Sequence, residues 1–170
     1  PTDPTQWADV DGDGFGDNSS GNDADECPTV AGTSTVDRLG CVDSDGDGYS
    51  DPDPNTNWLP AQGADAFPNE PTQWADQDID SYGDNPAGVR ADDCPTVRGS
   101  STIDRLGCVD NDGDGYSDAS GDWTVLQGAD ACPLIYGFST ADRIGCLDTD
   151  EDNYSDPTVD YGVEDGADAY

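Results

Sequence analysis

Nine residues, Asp43-Ser44-Asp45-Gly46-Asp47-Gly48-Tyr49-Ser50-Asp51, place carboxylates at positions 1, 3, 5 and 9 and a glycine at position 6. With variations, this pattern occurs five times in the 170-residue chain. Alternate carboxylates on a tightly turning backbone converge on one hard cation, and glycine at position 6 permits the left-handed bend that such a loop needs. The aromatic at position 7 would lend its carbonyl to the same ion, leaving its ring free to pack. Charge makes the same demand. Acidic residues number 39 against five arginines, with no lysine or histidine, for a formal net charge of -34. Without cations such a chain repels itself and stays largely disordered, so cations are part of the fold.

A hydrophobic content of 32% and a charged content of 26% argue against one large core and for small local ones. Nucleic acid is disfavoured as a partner by like charge. No apolar run approaches the roughly 18 residues of a membrane span. Catalysis lacks its usual parts, with no histidine, lysine or unpaired cysteine, and the many carboxylates have a stronger claim as metal ligands. The chain is not expected to be an enzyme.

Six cysteines fall into three pairs of one spacing: Cys27 with Cys41, Cys94 with Cys108, and Cys132 with Cys146. The repeated step of 14 residues points to local disulfides, and no Cys-x-x-Cys or histidine suggests a metal thiolate instead. Disulfides imply an oxidising compartment, extracellular or at the cell surface.

Internal repetition then sets the architecture. Pro4-Thr5-Gln6-Trp7-Ala8-Asp9 returns at 71–76, Asp37-Arg38-Leu39-Gly40-Cys41 returns at 104–108 and, with Ile144, at 142–146, and Gly63-Ala64-Asp65-Ala66 returns at 128–131 and 166–169. These matches cut the chain into five modules, each holding one acidic loop. Residues 1–27 and 68–94 are of a type a, and residues 28–67, 95–132 and 133–170 of a type b. Each ends on Asp-x-[Cys/Phe/Tyr], and cysteine stands there only when the following module carries a Gly-Cys to pair with it. Phe67 precedes a module without that cysteine. Tyr170 resembles Phe67, so the module expected after it is of the type that begins at Pro1. The chain therefore reads as one period of a longer array, or as a unit whose copies continue end to end from Tyr170 to Pro1.

Prolines, glycines and the absence of helical periodicity predict an irregular fold. The expected fold class is a calcium-organised, disulfide-stapled tandem repeat rod with at most very short strands, as at Thr33–Asp37, Thr102–Asp104 and Thr124–Leu126.

The expected side-chain ligands are Asp9, Asp11, Asp13 and Asp17 in the first loop, and Asp43, Asp45, Asp47 and Asp51 in the second. They are Asp76, Asp78, Asp80 and Asp84 in the third, Asp110, Asp112, Asp114 and Asp118 in the fourth, and Asp148, Asp150, Asp152 and Asp156 in the fifth. Carbonyls of Phe15, Tyr49, Tyr82, Tyr116 and Tyr154 would complete each set. The closing carboxylates Asp25, Asp65, Asp92, Asp130 and Asp168 are natural extra ligands. Oxygen-only ligands in large number favour calcium over magnesium or transition metals, with at least five ions. An EF-hand would need a fixed acidic residue at position 12 and amphipathic flanking helices. Here position 9 and the closing aspartate are 8, 14, 8, 12 and 12 residues apart. A dockerin fails for want of the same helices, and a plain acidic linker does not explain five registered copies.

Asp9 to Asp17, followed by Asp25-Glu26-Cys27-Pro28, resembles the thrombospondin type 3 repeat. The stretch from Cys27-Pro28-Thr29-Val30-Ala31-Gly32 to Gly40-Cys41 is similar to the version found in bacterial and archaeal surface proteins. The resemblance covers essentially the whole chain. It implies calcium ions buried along a rod, in places as pairs, with Asp23 and Asp93 as spare ligands. The Trp-containing insertions and the endings Phe67 and Tyr170 depart from the family pattern.

Trp7, Trp74, Trp58, Trp123 and Tyr161 are expected to pack over the ion loops, with carbohydrate stacking as the alternative. Arg38, Arg105 and Arg143 are expected to pair with carboxylates. Asn18-Ser19-Ser20 and Asn153-Tyr154-Ser155 are formal glycosylation sequons, and Asn18 is the candidate acceptor. The function expected is structural, part of an extracellular rod or filament. The alternative is a calcium-dependent spacer or adhesion stalk of a cell-surface protein, with a glycan or protein as its ligand.

Overall fold

A computed structural model of the chain describes residues 3–169. The expected end-to-end joint between Tyr170 and Pro1 lies outside the described residues. Nearly all of the described backbone is turn, bend or irregular segment. Regular elements among the described residues are the short 3-10 helices Pro60–Gln62, Val125–Gln127 and Val163–Asp165, with isolated bridges such as Gly16 to Ala24 and Gly83 to Ala91. The three helices hold equivalent places in the type b modules. Each starts after an extended residue and ends on a left-handed glycine, Gly63, Gly128 or Gly166, whose N–H bonds back to the helix's first carbonyl. Only glycine takes that conformation without a steric penalty. The turn delivers Ala64, Ala129 and Ala167 to buried positions, directly before the closing aspartates.

The very short strands do not form. Thr35 and Val36 both donate to the one carbonyl of Gly48, at 2.9 Å each, and Thr102 and Ile103 to that of Gly115, at 3.0 Å each. Two amides sharing one acceptor pinch the chain onto the acidic loop and leave no ladder to extend. At the third site, Val125–Gln127 is a 3-10 helix instead.

The three disulfides pair as the spacing suggests, with Cα separations of 5.1, 5.1 and 5.0 Å. Around them the buried set is small and polar. Ser34, Ser101 and Ser139 are fully buried. Their hydroxyls accept the N–H of Cys41, Cys108 and Cys146 at 3.1, 3.0 and 3.0 Å and donate to the carbonyls of Arg38, Arg105 and Arg143. A chain poor in aliphatic residues thus replaces an apolar core with satisfied polar groups, which buried serines tolerate when every group is paired.

The chain divides into two compact units. One comprises Pro1–Gln77 and Gly83–Ala91, the other Asp78–Tyr82 and Asp92–Tyr170.

Candidate metal centres

Positions 1, 3 and 5 of every loop come together. Asp9, Asp11 and Asp13; Asp43, Asp45 and Asp47; Asp76, Asp78 and Asp80; Asp110, Asp112 and Asp114; and Asp148, Asp150 and Asp152 each offer carboxylate oxygens within 4.8 Å of one another. Backbone amides prearrange them. The position 1 carboxylate accepts the N–H of position 4 at 2.7 Å from Gly12, Gly46 and Gly113. The position 5 carboxylate accepts the N–H of position 7 at 2.9 Å from Phe15, Tyr49, Tyr82, Tyr116 and Tyr154.

The bend demands more than the one glycine at position 6. Position 4 is left-handed too, with φ of 83°, 84° and 81° at Gly12, Gly46 and Gly113. In the other two loops side chains are forced into these places: Ile79 and Ser81 at 65° and 81°, Glu151 and Asn153 at 64° and 78°. Each costs about 1–2 kcal/mol relative to an ordinary conformation, and a β-branched isoleucine is the worst suited.

Position 9 closes each loop. The N–H groups of Asp17, Asp51, Asp84, Asp118 and Asp156 bond to the carbonyl of the residue preceding the loop, at 2.7–3.1 Å. Their carboxylates accept the N–H of position 2 from Val10, Ser44, Gln77, Asn111 and Thr149, at 3.4, 3.0, 3.1, 3.3 and 3.0 Å. They stand outside the three-carboxylate groups.

The closing aspartates add a further carboxylate beside the loops. One oxygen accepts an N–H two residues on, from Cys27 to Asp25, Phe67 to Asp65, Cys94 to Asp92 and Cys132 to Asp130, at 2.6–2.7 Å. The other oxygen of Asp25, Asp65, Asp130 and Asp168 is buried without a hydrogen bond, as are single oxygens of Asp11, Asp45, Asp47 and Asp112. Burial pushes Asp65 and Asp130 up to about 7, and the carboxylates of Asp47, Asp45 and Asp51, or of Asp114, Asp112 and Asp118, add to the rise. Asp25 is raised by burial, with Asp13, Asp11 and Asp17 adding and the Cys27 N–H opposing. Asp25, Asp65 and Asp130 thus face positions 3, 5 and 9 of their own loops. Buried anionic oxygens without donors are costly, and a cation is the group that reverses that cost. The donors are all oxygen, since no histidine exists and no cysteine is free among the described residues. A hard cation fits them.

The following module covers the site. Gly32, Gly99 and Gly137 donate their N–H to the position 5 carboxylates of Asp13, Asp80 and Asp114 at 3.0, 3.0 and 3.3 Å. A Cβ at Gly40, Gly107 or Gly145 would collide with the closing carboxylate of Asp25, Asp92 or Asp130. The glycine in each Asp-Arg-[Leu/Ile]-Gly-Cys segment is there so that backbone can lie against the preceding acidic loop. Sequence reasoning saw the repeated segment and missed this use of it.

The two module types support the loop differently. In type a, position 8 is Gly16 or Gly83, packed against the buried side chains of Gln6 or Gln73. Gln6 donates to the carbonyls of Asn18 and Asn22 at 3.2 and 2.8 Å and accepts the N–H of Asn18 at 2.9 Å. Gln73 repeats this with Asn85 and Val89. The side-chain amide of Asn18 donates to the Thr5 carbonyl at 2.7 Å. Asn85, which begins no sequon, does the same to Thr72 at 2.8 Å. In type b, position 8 is a fully buried serine, Ser50, Ser117 or Ser155. Its hydroxyl donates to Asp37, Asp104 or Asp142 at 2.8, 2.7 and 2.6 Å, and in the first two accepts the indole N–H of Trp58 or Trp123 at 2.8 and 2.9 Å.

The expected arginine–carboxylate pairs are replaced by stacking. Arg38, Arg105 and Arg143 lie over Trp58, Trp123 and Tyr161 at 5.4, 5.5 and 5.0 Å. Their guanidinium groups reach back to the preceding module's carbonyls, at Glu26, Asp93 and Ala131. An aromatic face and a carbonyl suit the weakly hydrated guanidinium.

The joint at Phe67 continues without a disulfide. Ala66 donates its N–H to the Trp74 carbonyl at 3.0 Å, as Glu26, Asp93 and Ala131 donate to Leu39, Leu106 and Ile144 at 2.9 Å. The Trp74 ring stacks on Tyr49, centroids 5.1 Å apart and planes at 6°. The chain matches no protein-family model and no curated protein.

Proposed function

We propose that the chain is a calcium-built, disulfide-stapled structural repeat that works outside the cell as a segment of a rod or filament. The observation that carries this reading is the set of closing carboxylates. Four of them bury an oxygen with no donor, and Asp25, Asp65 and Asp130 face three further carboxylates of their own loops. Calcium suits many oxygens on a yielding, irregular backbone, whereas magnesium demands tighter octahedral geometry and keeps its waters. Positions 1, 3, 5 and 9, the position 7 carbonyl and the closing aspartate would hold at least one ion per loop. The ion supplies the positive charge that lets these groups be buried together.

The loop spacing resembles the thrombospondin type 3 repeat, and the three disulfides suit an oxidising, extracellular setting. No helix among the described residues is long and apolar enough to cross a membrane. The role is structural rather than catalytic, because the groups that could act on a substrate are engaged in the loops. Isothermal titration of the chain, stripped of metal with its disulfides intact, tests the reading. Calcium should bind at five sites or more with proton release, while magnesium competes weakly. Absence of calcium binding overturns it.

A further inference from the structure

We propose that Trp7 and Tyr154 are the two halves of one joint, through which a second copy of this chain docks. The first module of one copy lies over the last acidic loop of the next, and Trp7 stacks on Tyr154. The proposal deepens the structural reading and rests on it for the cations that neutralise two acidic faces.

The template lies within one compact unit, where Trp74 stacks on Tyr49 and accepts the Ala66 N–H at its carbonyl. Both faces of that joint recur elsewhere without each other. Residues 4–9 repeat 71–76 letter for letter. Gln6 holds them on their module with the same hydrogen bonds that Gln73 makes. Trp7 is thus presented as Trp74 is, yet it is 75% exposed where Trp74 is half-buried. On the opposite face, Ala167-Asp168-Ala169 repeats Ala64-Asp65-Ala66. Tyr154 is 47% exposed where Tyr49 is half-buried, and Asp150 and Asp152 are exposed where Asp45 and Asp47 are half-buried. The N–H of Ala169 bonds to its own neighbour's side chain, Asp168, at 2.5 Å, whereas Ala66 uses that N–H across the joint.

The occupant is a copy of this chain because residues 4–9 repeat the Trp74 side of the Tyr49–Trp74 joint, and Tyr154 with Ala167-Asp168-Ala169 repeats Tyr49 with Ala64-Asp65-Ala66 on its other side. Two different patches meeting make a heterologous contact, which repeats from copy to copy and generates a ring or an open chain.

Sedimentation of the full chain in millimolar calcium, over a range of protein concentration, tests this, with calcium binding followed in the same samples by titration. The wild type should grow with concentration. Trp7→Ala should weaken association about tenfold or more while still binding calcium, since its ring is exposed and it supplies no ligand to a loop, and Tyr154→Ala should weaken association to a similar degree. Mixed together, the two variants should form dimers and stop there, because each supplies the half that the other lacks. A wild type that binds calcium yet stays monomeric overturns the joint and leaves the calcium reading standing. Association that needs no calcium but vanishes in both variants keeps the joint and overturns its dependence on ions. Association indifferent to both substitutions overturns the proposal.

Discussion

Type a and type b modules hold the same acidic loop by different means. In type a a glycine at position 8 rests on a glutamine whose amide knits three strands of loop together. In type b a buried serine is gripped by an aspartate and, in two of the three modules, by an indole. In two type b modules Asp65 and Asp130 are 1% exposed, against 6% and 5% for Asp25 and Asp92, while Asp168, which follows the third type b helix, is half-buried. The carboxylate geometry that faces the ion is common to both, while its support is exchangeable. A metal loop therefore specifies its own curvature and leaves the rest of its module to supply anchorage and burial.

The deepest closing carboxylates should separate the two types most. Asp130→Asn, isosteric but uncharged, should weaken calcium binding at its loop and cost about 3 kcal/mol in the ion-bound state, as expected when one partner of a buried charge cluster is lost. In the metal-free state it should be neutral or stabilising, because it removes a buried charge. Asp25→Asn should show both effects more weakly. Urea denaturation with and without calcium checks the pair.

The anchors come next. Gln73→Ala strands the groups that its amide satisfies and should cost about 3 kcal/mol, with Ser117→Ala nearer 2 kcal/mol. Equal, negligible costs in denaturant would show that the loop needs neither anchor.

The pH dependence should differ in sign with the ion. Asp65 and Asp130 sit at about 7 in the metal-free fold against an ordinary 3.8. The unfolded chain therefore releases these protons first, and whatever metal-free fold protonation preserves at low pH should be lost as pH rises from 3.8 to about 7. Calcium must displace the same protons, so affinity should rise over that window. Paired denaturation and calcium titrations across it read both slopes.

The smallest effect is also a gain. Ile79→Gly and Glu151→Gly relieve left-handed side chains and should each stabilise by about 1 kcal/mol, seen as a raised melting midpoint, whereas Gly46→Ala should lower it.

The parts legible in the sequence were those written in local spacing. Carboxylates two residues apart meet because a tight turn brings them together, and cysteines 14 apart pair because the same step recurs. The second left-handed position was hidden because Ile79 and Glu151 occupy it in two of the five loops, at a cost, so glycine does not mark it in every copy. The anchoring role of Gln6 and Gln73 is not legible in the sequence, since buried glutamine has no compositional mark. Gly40, Gly107 and Gly145 could have been found: glycine held before cysteine in three copies signals close backbone approach. Abundant acid makes ion pairs the obvious partners of the arginines, whereas Arg38, Arg105 and Arg143 lie over aromatic rings.

The central claim is that cations hold the fold. Near-ultraviolet circular dichroism of the disulfide-intact chain, recorded as calcium is withdrawn and restored, tests it most directly. The account predicts that the aromatic signal, which depends on contacts such as Tyr49 on Trp74, collapses on withdrawal and returns cooperatively with calcium. A signal unchanged after complete removal of the metal would contradict it.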